Sequence, residues 1–216
     1  MKTIGSVVLC VMVACGTASA ATLGPLSCTG VPAAGMSAVD FSGELHCPQF
    51  NVAGGTLTSI VLELTGSITG SISLTNTDTT TQYPWARIET YFLFEPPAGF
   101  PAWVPVAPSF DCGPLWLDAG QSGGCHTAVP VSASDTVTNT SILAPYIGGS
   151  TFAIPLWTLT VLTTEGGEGY VTANWATLAA ARATVTFEYQ PQAVPEPTTL
   201  LLVGIGLVSL GRRWRR

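Results

Sequence analysis

An all-β fold is predicted for most of this 216-residue chain, as a single antiparallel β-sandwich of jelly-roll or Greek-key type. Three observations predict it. Apolar and polar residues alternate with period two through several runs. β-branched and aromatic residues crowd those runs, while 23 Gly and 16 Pro punctuate the sequence. Helical signals are nearly absent. Only Trp175 to Ala183 reads as helical, and it lacks a cap, so its alanines equally suit a tight sheet face.

The N-terminus is the first element. Lys2 supplies a positive start, Ile4 to Ala14 is apolar, and Ala18-Ser19-Ala20 is a small-x-small cleavage site. Residues 1–20 are therefore expected to be a signal peptide, cut by signal peptidase between Ala20 and Ala21. A lipoprotein reading with Cys15 as the modified residue is the weaker alternative, because Met12 suits that motif poorly.

The strands follow. Thr58, Ile60, Leu62 and Leu64 alternate with polar neighbours, and so do Ile68, Gly70, Ile72 and Leu74. Gly66 between the two runs is expected to make a tight hairpin. Ile88, Thr90, Phe92 and Phe94 share one face of a third run. Ala183, Val185, Phe187 and Tyr189 share one face of the last, opposite Arg182, Thr184, Thr186 and Glu188. Further strands are expected within Phe41–Phe50, Trp103–Ala107, Thr127–Val131, Phe152–Leu162 and Tyr170–Thr177. About eight to ten short strands result, in one domain over 21–190.

Residues 191–197 read as a stalk, because Pro191, Pro195 and Pro197 cannot continue a ladder. Residues 198–211 are apolar and uncharged, about 14 residues against the ~20 of a comfortable spanning helix. They are predicted to form a transmembrane segment. Arg212, Arg213, Trp214, Arg215 and Arg216 form a basic tail that favours the cytoplasmic side.

Without its two ends the chain is acidic. Residues 21–197 keep only Arg87 and Arg182, have no lysine, and hold all 13 carboxylates. Such a surface repels nucleic acid and anionic membranes. Four cysteines remain there, Cys28, Cys47, Cys112 and Cys125, an even number in an exported chain. Of the three possible connectivities, the neighbour pairs Cys28–Cys47 and Cys112–Cys125 are preferred. Zinc is disfavoured: no C-x-x-C pair exists, and His46 and His126 each adjoin a cysteine, so adjacent ligands would point to opposite sides of a strand.

No catalytic residue is expected. No serine sits in a nucleophile elbow, and the separation of Glu63, Glu89, Asp111 and Asp118 cannot be read from sequence. Glu165 and Glu168 are weak calcium candidates on a glycine-rich loop without EF-hand spacing. No cofactor and no metal are expected. Asn139-Thr140-Ser141 matches a glycosylation sequon. Six tryptophans are many for one domain. Trp85, Trp157 and Trp175 lie in or beside strands and are expected in the core. Trp103 and Trp116 lie near Pro and Gly, and are the candidates for exposed sugar-binding rings.

The tail from Val194 to Arg216 resembles the PEP-CTERM sorting signal: Pro195-Glu196-Pro197, the apolar segment, then the arginine cluster, in that order. The resemblance implies recognition of Pro195, Glu196 and Pro197 by an exosortase. It implies transient anchoring in the inner membrane of a Gram-negative bacterium, removal of the tail, and transfer to the cell surface or extracellular matrix. A permanent anchor is the plainer alternative. Phe41–Phe50, Gly55–Leu64, Gly66–Asn76 and Ala180–Tyr189 are similar to a choice-of-anchor E domain, over about 41–190. That likeness implies a surface role and no catalytic residues. The expectation is a structural or adhesive protein of the envelope or exopolysaccharide matrix, with a carbohydrate-binding module next and a secreted hydrolase third.

Overall fold

The structure is a computed structural model and describes residues 19–30, 36–167 and 169–192. They form twelve strands: β1 Ala21–Ser27, β2 Thr29–Gly30, β3 Ser37–Ala38, β4 Ser42–Pro48, β5 Gly55–Asn76, β6 Trp85–Phe94, β7 Val104–Val106, β8 Ser109–Cys112, β9 Ser122–His126, β10 Val131–Asn139, β11 Thr151–Glu165 and β12 Val171–Pro191. One short 3-10 helix, Ala144–Tyr146, is the exception. The described residues are thus nearly all β, as their period-two pattern predicts.

Two antiparallel sheets result. The first runs β1-β12-β5-β10, with β3 beside β12 and β9 beside β5. The second runs β2-β4-β11-β6-β7, with β8 beside β6. One hydrophobic cluster draws on both. Leu62, Leu64, Ile68, Ile72 and Leu74 come from β5, and Val185 and Phe187 from β12. Ile88, Phe92 and Phe94 of β6 and Ile154 and Leu156 of β11 come from the second sheet. Each such side chain contributes about 1.5–3 kcal/mol on burial.

Several expected elements are corrected. Gly66 makes no hairpin: β5 is one strand of 22 residues. It pairs with β12 along its whole length, from Gly55–Pro191 to Asn76–Val171. Gly66 is in the strand because the Phe92 ring occupies the space where a side chain would be. Trp175 to Ala183 is strand, with Ala179, Ala181 and Ala183 buried on the core side. Thr127 to Pro130 is not strand but the link between β9 and β10, and its Thr127 is tied to Gly70 from both backbone and side chain. Three strands are not short: β5, β11 and β12 have 22, 15 and 21 residues.

The disulfides are Cys28–Cys47 and Cys112–Cys125. The second joins β8 of one sheet to β9 of the other. The first lies where the chain leaves β1 for β2, with the Cys28 N–H donating to Ala183 O at 2.9 Å. Both therefore tie the two sheets at crossing points.

Candidate functional site: an aromatic face on the second sheet

In β11 the even positions Phe152, Ile154, Leu156 and Thr158 are buried, so the odd positions must face outward. Those odd positions are also apolar. Trp157, Leu159 and Val161 stand 39%, 54% and 41% exposed. Strand pairing sets their neighbours on β6: Leu93 opposite Trp157, Tyr91 opposite Leu159, Glu89 opposite Val161, Arg87 opposite Thr163 and Trp85 opposite Glu165. Trp103, just before β7, brings its ring to 4.9 Å from that of Trp157, the planes tilted by 54°. A continuous outer row results, from the Trp103–Trp157 pair past Tyr91 to Trp85. Eight residues of β11 separate its ends, about 27 Å.

Polar groups interleave with the rings. The Arg87 guanidinium lies 5.4 Å from the Trp85 ring centre and grips Asp111 of β8 with two bonds, Nε–Oδ1 at 2.7 Å and Nη2–Oδ2 at 3.1 Å. That grip holds the Asp111 carboxyl below its usual range and raises Arg87. The Tyr91 hydroxyl donates to Glu89 Oε2 at 2.5 Å, which raises the phenol. Glu44 of β4 and Glu165 at the end of β11 face the same side.

Trp116 lies near the Trp85 end of the row, away from Trp103, with the Leu115 N–H donating to Pro84 O at 2.9 Å. It is 65% exposed and packs edge to face on Tyr83, ring centres 4.3 Å apart at 86°. Its loop is fixed by the bridge between Gln82 and Leu117, before the start of β6. Trp103 adjoins the β7 residue that pairs with Phe94, at the end of β6. The two predicted sugar-binding tryptophans are therefore held near opposite ends of a ten-residue strand, about 30 Å apart. Trp157, expected in the core, is Trp103's partner on the outer face, and Trp175 is also exposed at 38%. The missed signal was parity: both odd and even positions of β11 are apolar, and only one set can face the core.

The other candidates are scattered. Glu63 sits on the outer side of the first sheet, and Asp118 in the Trp116 loop accepts from Thr81. Glu89 and Asp111 are each already engaged. His46 is on the second sheet, 3.9 Å from Glu44, and His126 on the first. The four cysteines among the described residues are all in disulfides, so none of them offers a thiolate to zinc. Among the described residues no group of three or more His, Cys, Asp or Glu could hold a metal. Glu165 is exposed at a strand end, and Glu168 lies outside the described residues. Asn139 of the sequon is 1% exposed. Its amide bonds to Ile142 O, and its carbonyl accepts from the Ser141 and Ile142 N–H groups, so it offers no free nitrogen to a glycan.

The described residues that border the two expected processing regions lie at one end of the fold. Ala21 begins β1 opposite Tyr189, and the Gln192 N–H donates to Gly54 O. Ala20 and Ala21 are exposed or half-buried there. Ala18, the rest of the expected signal peptide, Pro195, Glu196 and Pro197, the apolar segment 198–211 and the basic residues 212–216 lie outside the described residues. Among the described residues no helix is long and apolar enough to cross a membrane.

Comparison with known proteins bears on that tail. The family described as PEP-CTERM protein-sorting motif matches residues 193–216. The motif marks the chain as an exported target of exosortase, bound for the envelope or surface of a bacterium. No curated protein matches the chain. Among solved structures, a chain of the infectious bursal disease virus Gx strain is similar at 16% identity and a TM-score of 0.19, over 98% of this chain and 53% of that one. A chain of the Gt strain gives 13% identity and a TM-score of 0.17, over 98% and 55%. This chain spans about half the length of those viral chains, and likenesses so faint carry no argument.

Proposed function

We propose that this is a surface protein of a Gram-negative bacterium whose disulfide-stapled β-sandwich has a structural or adhesive role in the envelope or exopolysaccharide matrix. On this reading the signal peptide 1–20 is removed by signal peptidase. The segment 198–211 anchors the protein transiently in the inner membrane. Exosortase recognises Pro195, Glu196 and Pro197 and releases the domain 21–190 on its stalk, and the likeness of 41–190 to choice-of-anchor E domains belongs to the same reading. The observation that carries the role is the exposed row of Trp103, Trp157, Leu159 and Val161. A continuous apolar face on an acidic, exported domain is a contact surface. The pairing of Ala21 with Tyr189 supports the topology, because both membrane-directed ends leave one end of the fold and the long sheet faces stand clear of it.

A carbohydrate-binding module is the second reading, favoured by the 4.9 Å approach of Trp103 to Trp157 on a flat sheet face. A secreted hydrolase has less support, since the carboxylates are scattered or engaged.

The intact mass of the protein from surface and secreted fractions of its host tests the main reading. Loss of residues 1–20 and of the tail beyond Pro197, with two disulfides retained, is expected. A mass that keeps 198–216, found in the inner membrane alone, overturns sorting in favour of a permanent anchor.

A further inference from the structure

Resting on the carbohydrate-binding reading, we propose that the outer face of the second sheet binds a linear polysaccharide of amino sugars, pyranose units that carry free ammonium groups, laid along β6 and β11. Two chemistries must coincide for such a ligand. Its C–H faces need aromatic platforms, and its ammonium groups need carboxylates or ring faces.

Both are built into one row. Trp103 and Trp157 close one end, Tyr91 lies one register step on, and Trp85 stands at the other end. Each two-residue step advances about 7 Å, so the row accommodates several pyranose units. The carboxylates alternate with the rings because strand parity aims them the same way. Glu44 is paired with Pro155 two positions before Trp157. Glu89 is paired with Val161 and Glu165 with Trp85. Asp111 is paired with Arg87.

Charge selects among the possible occupants. The face sets the four carboxylates Glu44, Glu89, Asp111 and Glu165 against the guanidinium of Arg87, which Asp111 already grips, and the imidazole of His46, 3.9 Å from Glu44. A uronate polymer or an anionic membrane is repelled. A second copy of the chain, packed face to face about a twofold axis, sets the same carboxylates against one another. A polymer carrying ammonium groups satisfies them. The outer side of the first sheet lacks this combination: along the middle of β5 it carries Thr65, Ser67, Thr69, Ser71 and Ser73.

The test uses the protein isolated from its host, disulfides intact, titrated by tryptophan fluorescence and calorimetry with chitosan hexamer at mildly acidic pH. N-acetylated chitohexaose, cellohexaose and an oligo-alginate are the comparison ligands. Chitosan hexamer is expected to bind best, and alginate not at all. Trp157→Ala is expected to weaken chitosan binding about tenfold, the scale of one lost aromatic contact. Glu89→Gln is expected to weaken it and reduce its salt dependence. Leu178→Ala, on the outer side of the first sheet, is expected to leave it unchanged. Trp157 and Leu178 are both exposed, and unchanged thermal unfolding of each variant establishes that the fold is kept. Equal binding of cellohexaose and chitosan overturns the amino-sugar assignment while sparing the carbohydrate reading. Failure of every oligosaccharide overturns both. Binding lost in Leu178→Ala but kept in Trp157→Ala overturns the site. A concentration-dependent dimer abolished by Trp157→Ala makes a second copy the occupant and overturns the proposal.

Discussion

Phe92 of the second sheet packs its ring onto the backbone of Gly66 in the first. A Cβ on that glycine would lie 2.8 Å from the ring Cγ and 2.7 Å from Cε2. Register explains the room: Ala133 of β10 and Ala181 of β12 flank Gly66 on either side. Three small residues in one row make a hollow, and the ring of Phe92, itself fully buried, fills it.

Gly66→Ala is therefore an overpacking substitution. It is expected to destabilise the domain by about 1–3 kcal/mol, although alanine suits a strand better than glycine does. Phe92→Leu alone should also cost stability. The double variant should recover part of the sum, a coupling that a urea-denaturation double-mutant cycle measures. If Gly66→Ala unfolds with the wild-type midpoint, the ring does not rest on that backbone.

Gly66 also marks where sequence reading succeeds and fails. Period two located the β5 residues on both sides of it, and their faces. Locally the glycine reads as a turn, because turns are the commoner use of glycine. Yet the even positions Ile60, Leu62, Leu64, Ile68, Ile72 and Leu74 keep one parity straight through position 66, which a reversal between them had no need to preserve. Phe92, the cause, lies 26 residues on in the other sheet, and no local window contains it. Trp157 failed differently. Its strand was legible, but a strand apolar on both faces does not say which face is covered until the second sheet is placed. The cysteines were readable because few residues separate each pair.

The Cys112–Cys125 bridge should matter beyond its own loop. It closes 13 residues, of which Gly113, Gly120, Gly123 and Gly124 have little conformational preference, and it crosses between sheets. Replacing both cysteines with serine is expected to cost about 2–4 kcal/mol, by thermal or urea unfolding. It should also loosen the Tyr83–Trp116 contact, so iodide quenching of tryptophan fluorescence should rise. Unchanged quenching with lowered stability would mean that the Asn76 side chain, which donates to Thr80, Leu117 and Asp118 carbonyls, holds the loop by itself.

Alkaline stability should report on Tyr146. The residue is fully buried, its hydroxyl donates to Ala98 O at 2.8 Å, and burial pushes its pKa from 10.0 to about 12. The fold favours the neutral phenol. Its contribution is complete below the unfolded value near 10 and is lost as pH rises through the folded value near 12. Tyr146→Phe removes that titration and the hydrogen bond together. It should cost about 1 kcal/mol at neutral pH and flatten the loss of stability between pH 10 and 12. A variant whose alkaline profile superimposes on that of the wild type would assign the loss to other groups.

Processing of the tail should depend on the length of the stalk. The Gln192 N–H is fixed to Gly54 O, and Pro195 follows three residues later, at most about 10 Å of extended chain. A folded domain therefore stands close to the motif that exosortase must enter, and β1, paired beside β12 at Ala21 and Tyr189, broadens the obstruction. Deleting Ala193 and Val194 draws the motif against the sheet end and is expected to leave precursor that retains residues 198–216. Inserting Gly-Ser-Gly-Ser after Gln192 should process at least as fully as the natural chain. Intact mass of the membrane and surface fractions after a pulse-chase measures both. If the shortened chain is cut as completely as the natural one, the folded end does not hinder the enzyme, and the motif is recognised before β12 is zipped to β5.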